Sequence, residues 1–342
     1  MQQYIIRRIL LNFFVLFLVA TMVFAALRID SDTVINRRAG ACFSQGGTDA
    51  EEQIAQCRAQ AKAELGLVDS IPKQYWTFMT DLVQLDLGDS TVGNKDPIVN
   101  EIKDRAWPSV ELGLMQIFFA LVIALPIGII SAVKQDSPVD YLLRVISIVF
   151  LGVPVFVLAV IVILLSSRYG EGTFFADWFG PQGSYAPATD VPILGTPIIP
   201  NYENFKIMLA PALLGGLGTG AIIMRFLRSQ MLEVLRQDYV RTAWAKGLKE
   251  RVVVVRHALK NALIPVLTIV GILLGQIVSG NVLLELIYGV PGIGRYIVLN
   301  VSQNPNFPAV QGVVLVVGFV LVFVNLLIDI AYGWLDPRIR YS

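Results

Sequence analysis

Six uncharged apolar runs, at residues 9–27, 112–133, 145–167, 207–224, 261–284 and 308–328, constrain this chain more than any other feature. A helix rising about 1.5 Å per residue needs about 20 such residues to cross a hydrocarbon layer about 30 Å thick. Backbone amides in lipid find no water, and the runs lack the alternation of barrel strands, so each is expected to be a helix. The expected fold is an all-α membrane protein with six transmembrane helices. Composition agrees, with 55% hydrophobic residues, 15% charged residues and a mean hydropathy of +0.64. The first run is longer than a signal-peptide core and lacks a small-x-small cleavage site, so it is read as a retained helix.

Basic residues in short flanks set the orientation. Arg7 and Arg8 precede the first run and place the N-terminus in the cytoplasm. Alternation then puts residues 134–144, 225–260 and the C-terminal tail on the same side, so both termini are cytoplasmic. Residues 225–260 carry nine Lys/Arg against three acids, Glu233, Asp238 and Glu250. Three regions follow: a first transmembrane helix (1–28), a small extracytoplasmic subdomain (29–107), and a five-helix core (108–342) containing the cytoplasmic loop 225–262. The outer segment 168–206 holds five prolines and reads as an irregular lid, a partner surface or a solvated loop.

Cys42 and Cys57, with 14 residues between them, both fall on the oxidising outer side. A disulfide between them is the expectation, with two free thiols as the alternative. Two cysteines and one histidine give no metal-ligand spacing, so no metal site is expected. A net charge of +1 implies no nucleic-acid partner.

The stretch RTAWAKGLKERVVVVRHALKNALIPVL, residues 241–267, gathers six of the 27 Lys/Arg and the only histidine. Within it Val240, Ala243, Trp244, Gly247 and Leu248 recur at the spacing of one face of a short helix, with Arg241, Lys246 and Lys249 elsewhere on the turn. Positive-inside bias and a lipid-facing basic helix account for the cations. Neither accounts for a glycine in the apolar stripe, where Gly costs about 1 kcal/mol against Ala. Docking of a cytoplasmic partner accounts for both, with Ala243 and Gly247 allowing close approach. Downstream, Pro265 interrupts the helical pattern.

These residues carry a resemblance. The stretch from Arg241 to Pro265 is similar to the cytoplasmic loop of ABC-importer permeases, specifically the B-type permease subunit of dipeptide and oligopeptide importers, which reads RTARAKGL…RHALRNALLPV. YIIRRIL at the N-terminus, LGLVDSIPKQYWTFMTDLVQLDLGDS (65–90), YGVPGIGRYIVLNVSQNPNFPAVQG (288–312) and the ending DIAYGWLDPRIRYS resemble further segments of that subfamily. Two features depart from it: RIDSDTV stands where the family has PGDP, and residues 31–60 resemble an insertion.

The resemblance implies an inner-membrane permease of a prokaryotic importer, forming half of a translocation pathway for peptides. It implies a second homologous permease, two cytoplasmic ATPase subunits and an external substrate-binding protein as partners. ATP and magnesium would be used by the ATPases, with no cofactor bound here and no enzyme activity of this chain's own. The coupling residues would be Arg241, Ala243, Trp244, Lys246, Gly247 and Leu248. Related permeases carry nickel, glutathione or short sugars, and the sequence does not decide among the substrates.

Polar residues inside apolar runs usually face a protein interior or a watery path. Gln276 and Ser279, about one turn apart, are candidates for the pathway lining or for an interhelical hydrogen bond. Asp329 is expected to pair with a basic residue. GGLGTG (215–220) and PGIG (291–294) lack the Lys-Ser/Thr ending of a phosphate loop and are read as close packing and a turn. A stand-alone secondary transporter or channel subunit is the alternative. Against it stand the absence of a span with arginine at every third position and of inverted repeats with midspan charges.

Overall fold

A computed structural model describes residues 2–29, 31–42, 50–90, 96–169, 173–180, 202–277, 281–302 and 306–335. Among these residues the regular structure is helical, with one isolated bridge pairing Asp89 and Pro97. The order is α1 (Gln2–Ile29), α2 (Ser31–Cys42), α3 (Ala50–Glu64), α4 (Ile71–Val83), α5 (Ile98–Val133), α6 (Pro138–Gly152), α7 (Val155–Tyr169) and α8 (Phe174–Phe179). Then come α9 (Tyr202–Leu235), α10 (Asp238–Ala245), the single turn α11 (Glu250–Val252), a π-helical stretch (Val253–Leu259), α12 (Lys260–Ile277), α13 (Val282–Tyr288), α14 (Ile293–Ser302) and α15 (Phe307–Leu335).

Five helices are long and apolar enough to cross a membrane: Arg7–Ala26, Ile98–Val133, Asn204–Leu235, Glu250–Gly275 and Phe307–Leu326. They contain the first, second, fourth and sixth expected runs, in whole or large part, and most of the fifth. The third run departs from expectation. It is split between α6 and α7, which meet at 95°. The cause lies in Pro154, which has no N–H to donate and keeps the preceding residue out of the α region. Val153 accordingly closes α6 in an extended conformation, φ −83° and ψ 121°. The fifth run also ends differently: α12 stops at Ile277, and its last residues open the separate helix α13. α13 and α14 reach spanning length only when joined. Pro265 does not interrupt α12; it lies inside it, as Pro108 and Pro126 lie inside α5 and Pro211 inside α9.

The chain divides into two compact units, Met1–Ala106 with Arg295–Ser342, and Trp107–Gly294. In the first, α1 runs against α15, and Gly318 leaves so little room that an added Cβ would sit 3.2 Å from Val19 Cγ1. α4 caps the end of α1: the Tyr75 ring meets Phe24 edge-on at 5.0 Å, Tyr75 and Thr21 share a 2.9 Å hydrogen bond, and Arg28 donates to Gln74 at 3.1 Å. α2 packs along α3.

In the second unit, one apolar core joins Ile117, Ala120 and Ala124 of α5, Ile223, Leu227 and Met231 of α9, and Ala258, Ala262 and Val266 around the start of α12. Gly215, Gly216 and Gly220 of GGLGTG serve close packing, as the sequence reading expected. A Cβ on Gly216 would lie 2.9 Å from the Gln116 carbonyl oxygen, and one on Gly220 would lie 3.2 Å from that of Ala120. Small residues let two membrane helices approach backbone to backbone.

Candidate functional site

The basic loop folds as a turn off α9 followed by α10. Gln237 opens α10 in extended geometry, and Asp238 places an acid in its first turn, where it favours the positive end of the helix dipole. Val240 is fully buried and Ala243 is 6% exposed; both pack on Val234 and Leu235 at the end of α9 and on Val253. Asn261 Nδ2 donates to the Tyr239 hydroxyl at 2.7 Å and ties α12 to the same helix. α10 is thereby held on two sides by its own chain.

The other residues of α10 are exposed, Arg241 and Trp244 among them, as are Lys246 and Leu248 just beyond the helix. Trp244 is 43% exposed, a large apolar surface for a polar setting. Arg241 lies 3.6 Å from Asp238 one turn earlier, an exposed pair of little energetic weight.

Two details of the sequence reading need correction. The expected apolar stripe divides: Val240 and Ala243 turn inward, so Ala243 gives no open ridge to a partner, whereas Trp244 turns outward. Gly247 is not inside the helix. α10 ends at Ala245, and Gly247 adopts φ +73° with its N–H donating to the Trp244 carbonyl at 2.9 Å. That is the left-handed position after a helix end, where glycine is favoured because a Cβ would crowd the following carbonyl. The supposed cost of a mid-helix glycine vanishes, and no atom lies within 4 Å of a Cβ built there.

Beyond Gly247 the chain passes α11 and enters seven residues of π-helix, Val253–Leu259, with Val253, Val254 and Ala258 buried. His257 lies in this stretch. π-Turns are rare and concentrate at functional segments.

The remaining candidates fare unequally. Cys57 is buried on α3, while the side chain of Cys42, at the end of α2, lies outside the described residues. Gln276 is on α12 with its side chain outside the described residues, as is that of Asp329; Ser279 lies outside them altogether. Most of the proline-rich segment 168–206 also falls outside them.

Gln116 and Asn281, polar residues in or near the apolar runs, join a buried cluster, and two buried carboxylates, Glu285 and Asp140, escaped the sequence reading. Glu285, fully buried, accepts from the Ser109 hydroxyl at 2.8 Å and from the Asn281 N–H at 3.2 Å. Ser109 in turn accepts the Ile293 N–H at 2.8 Å, pinning the PGIG turn to α5, and a Cβ on Gly292 would collide with Glu285 Oε2. Asn281 continues to Gln116 at 3.3 Å, and Gln116 to Thr219 at 3.0 Å. Glu285 follows directly on the last residue of the fifth run, since an uncharged run by definition stops short of it.

The second cluster centres on Asp140, also fully buried. Arg228 of α9 grips its carboxylate with two bonds, Nε to Oδ1 at 2.9 Å and Nη2 to Oδ2 at 2.8 Å. Ser131 of α5 donates to Oδ1, and the Asp136 N–H donates to Oδ2 at 3.0 Å. Arg144 comes within 3.3 Å, too poorly aligned for a hydrogen bond. A signal existed in SPVD (137–140), an N-cap serine, a proline at the first helical position and an acid at the third.

Comparison with known proteins now bears on these features. Residues 124–341 match the family described as "Binding-protein-dependent transport system inner membrane component". A dipeptide transport system permease protein of Alkalihalophilus pseudofirmus is 38% identical over 298 residues, 85% of this chain and 88% of that one. The dipeptide transport system permease protein of Escherichia coli K12 is 35% identical, covering 83% of this chain and 85% of its own length. A glutathione transport system permease protein of Pectobacterium atrosepticum is 31% identical over 86% and 87%. With apolar helices of spanning length and a family match over more than half its residues, the chain belongs to the binding-protein-dependent inner-membrane components, the multi-pass permease subunits of ABC importers.

Proposed function

We propose that this chain forms half of a translocation pathway for short peptides, pairs with a second homologous permease, and is driven by two ATPase subunits that seat on α10. In this reading the external binding protein delivers substrate, ATP and magnesium stay with the ATPases, and this chain holds no cofactor. Six crossings place both termini and α10 in the cytoplasm, with the bent α6–α7 pair counting as one crossing. Residues 29–107 stand outside as a small subdomain, braced by a Cys42–Cys57 disulfide. Gln276 and Ser279 are proposed to line the path. The names of the relatives favour peptides as cargo.

The observation that carries the reading is the division of α10 into two faces. One is buried on α9 and the π-helical stretch, which gives a displacement of the helix a direct contact with the end of α9. The other offers Trp244 as an apolar anchor ringed by Arg241, Lys246 and Leu248. A half-exposed tryptophan amid cations fits a groove on a protein partner.

A photo-crosslinking amino acid at position 244 tests this in the complex purified from native membranes. A crosslinked species containing an ATPase subunit is the expected product. Lipid adducts alone would refute the assignment.

A further inference from the structure

The Asp140–Arg228 ion pair lies in neither the docking face nor the proposed pathway, yet its carboxylate accepts four hydrogen bonds. Burying a carboxylate is costly unless hydrogen bonds and a fixed counter-charge replace its water. Here two bonds from one guanidinium, one from Ser131 and one from the Asp136 N–H supply that. Asp136 holds φ +58°, a strained left-handed conformation for a residue with a side chain, and it aims its N–H at Asp140 Oδ2. The elbow between α5 and α6 is therefore shaped around this carboxylate.

Its placement gives it a role. Arg228 stands on α9 two turns before Leu235, and Leu235 packs against Val240 and Ala243 of α10. Asp140 stands in the first turn of α6, which packs along α9 and leads to the 95° bend at Pro154. Apolar packing between α6 and α9 allows sliding, since dispersion contacts are non-directional. A bidentate ion pair does not, because its geometry fixes two directions at once.

We infer that Asp140 and Arg228 are a positioning pair that locks the α5–α6 elbow to α9, so that a displacement of α10 is transmitted to α6. This rests on the proposed docking of ATPases on α10. The guanidinium on α9 and the carboxylate on α6 act as a rigid strut, and α6 passes the movement to its bend.

Distance measurement between spin labels in the purified, assembled transporter tests this. Labels go at Gln237→Cys beside α10 and, separately, at Leu142→Cys on α6, each paired with Leu267→Cys on α12. All three positions are exposed. In the otherwise native complex, trapping with ATP and vanadate is expected to shift both distances. In Asp140→Asn, which keeps the side chain's shape, the α10 shift is expected to persist and the α6 shift to be lost. Arg228→Lys, which keeps charge without the fork, is expected to do the same. Persistence of both shifts in the variants overturns the strut. So does loss of both, or failure of both variants to assemble, which would make the pair a folding element only. An α10 label that never moves in the native complex would instead refute the docking reading.

Discussion

The glycines at the crossing of α5 and α9 give the sharpest quantitative test of the packing. A methyl group on Gly216 would lie 2.9 Å from the Gln116 carbonyl oxygen and 3.2 Å from the Ala120 nitrogen, both backbone atoms unable to rotate away. Two residues along, a methyl on Gly218 meets only the Phe150 carbonyl oxygen at 3.8 Å, an ordinary contact. Both positions lie in the interior of one helix, so the gain of about 1 kcal/mol from Gly→Ala helix propensity is common to them. What separates the two variants is overpacking, about 1–3 kcal/mol. Gly218→Ala should therefore be stabilised by up to about 1 kcal/mol. Gly216→Ala should lie about 1–3 kcal/mol below it, a gap of about 5- to 150-fold in the unfolding equilibrium. Reversible unfolding of the purified protein in mixed micelles, followed by tryptophan fluorescence, reads the difference directly. Equal stabilities for the two variants would refute the backbone-to-backbone approach of α5 and α9.

Other expectations follow from particular contacts. Gly247→Val should abolish substrate-stimulated ATP hydrolysis in the assembled transporter while leaving membrane insertion intact; Gly247→Asn should retain most of it, because Asn tolerates positive φ. Equal loss in both would shift the cause from backbone geometry to side-chain volume at a partner surface. Ser109→Ala removes a donor from Glu285 and an acceptor from the Ile293 N–H, and should cost about 1–3 kcal/mol, visible as a lowered Tm. An unchanged Tm would show that the pin is dispensable. Mass spectrometry of unreduced protein treated with an alkylating agent should find neither Cys42 nor Cys57 modified; two modified cysteines would end the proposed disulfide.

Much was legible in the sequence because lipid leaves few options. Backbone groups must pair within the segment, so an uncharged run of about 20 residues dictates a helix without knowledge of its neighbours. The motifs around Arg241–Pro265 were likewise sufficient to indicate the permease family. Local chemistry also made the glycine-rich GGLGTG readable as a packing face. What it could not give was direction. Ala243 and Trp244 are adjacent in one helical pattern, and only packing against Leu235 and Val253 sends one inward and leaves the other out.

The same limit governs the charged residues. Pro154 was visible, yet whether it kinks a span, as it does, or is absorbed, as Pro265 is, depends on neighbours that replace the missing hydrogen bond. Glu285 directly follows one apolar run and Asp140 lies between two others, and nothing nearby in the chain names a partner for either; Ser109 and Arg228, 176 and 88 residues distant, bury them. The sequence determined which segments are apolar enough to cross a membrane, because that is a property of each segment's own composition. Only the tertiary structure decided which polar groups meet in the protein interior, because the energy of a buried charge belongs to the pair and not to either residue.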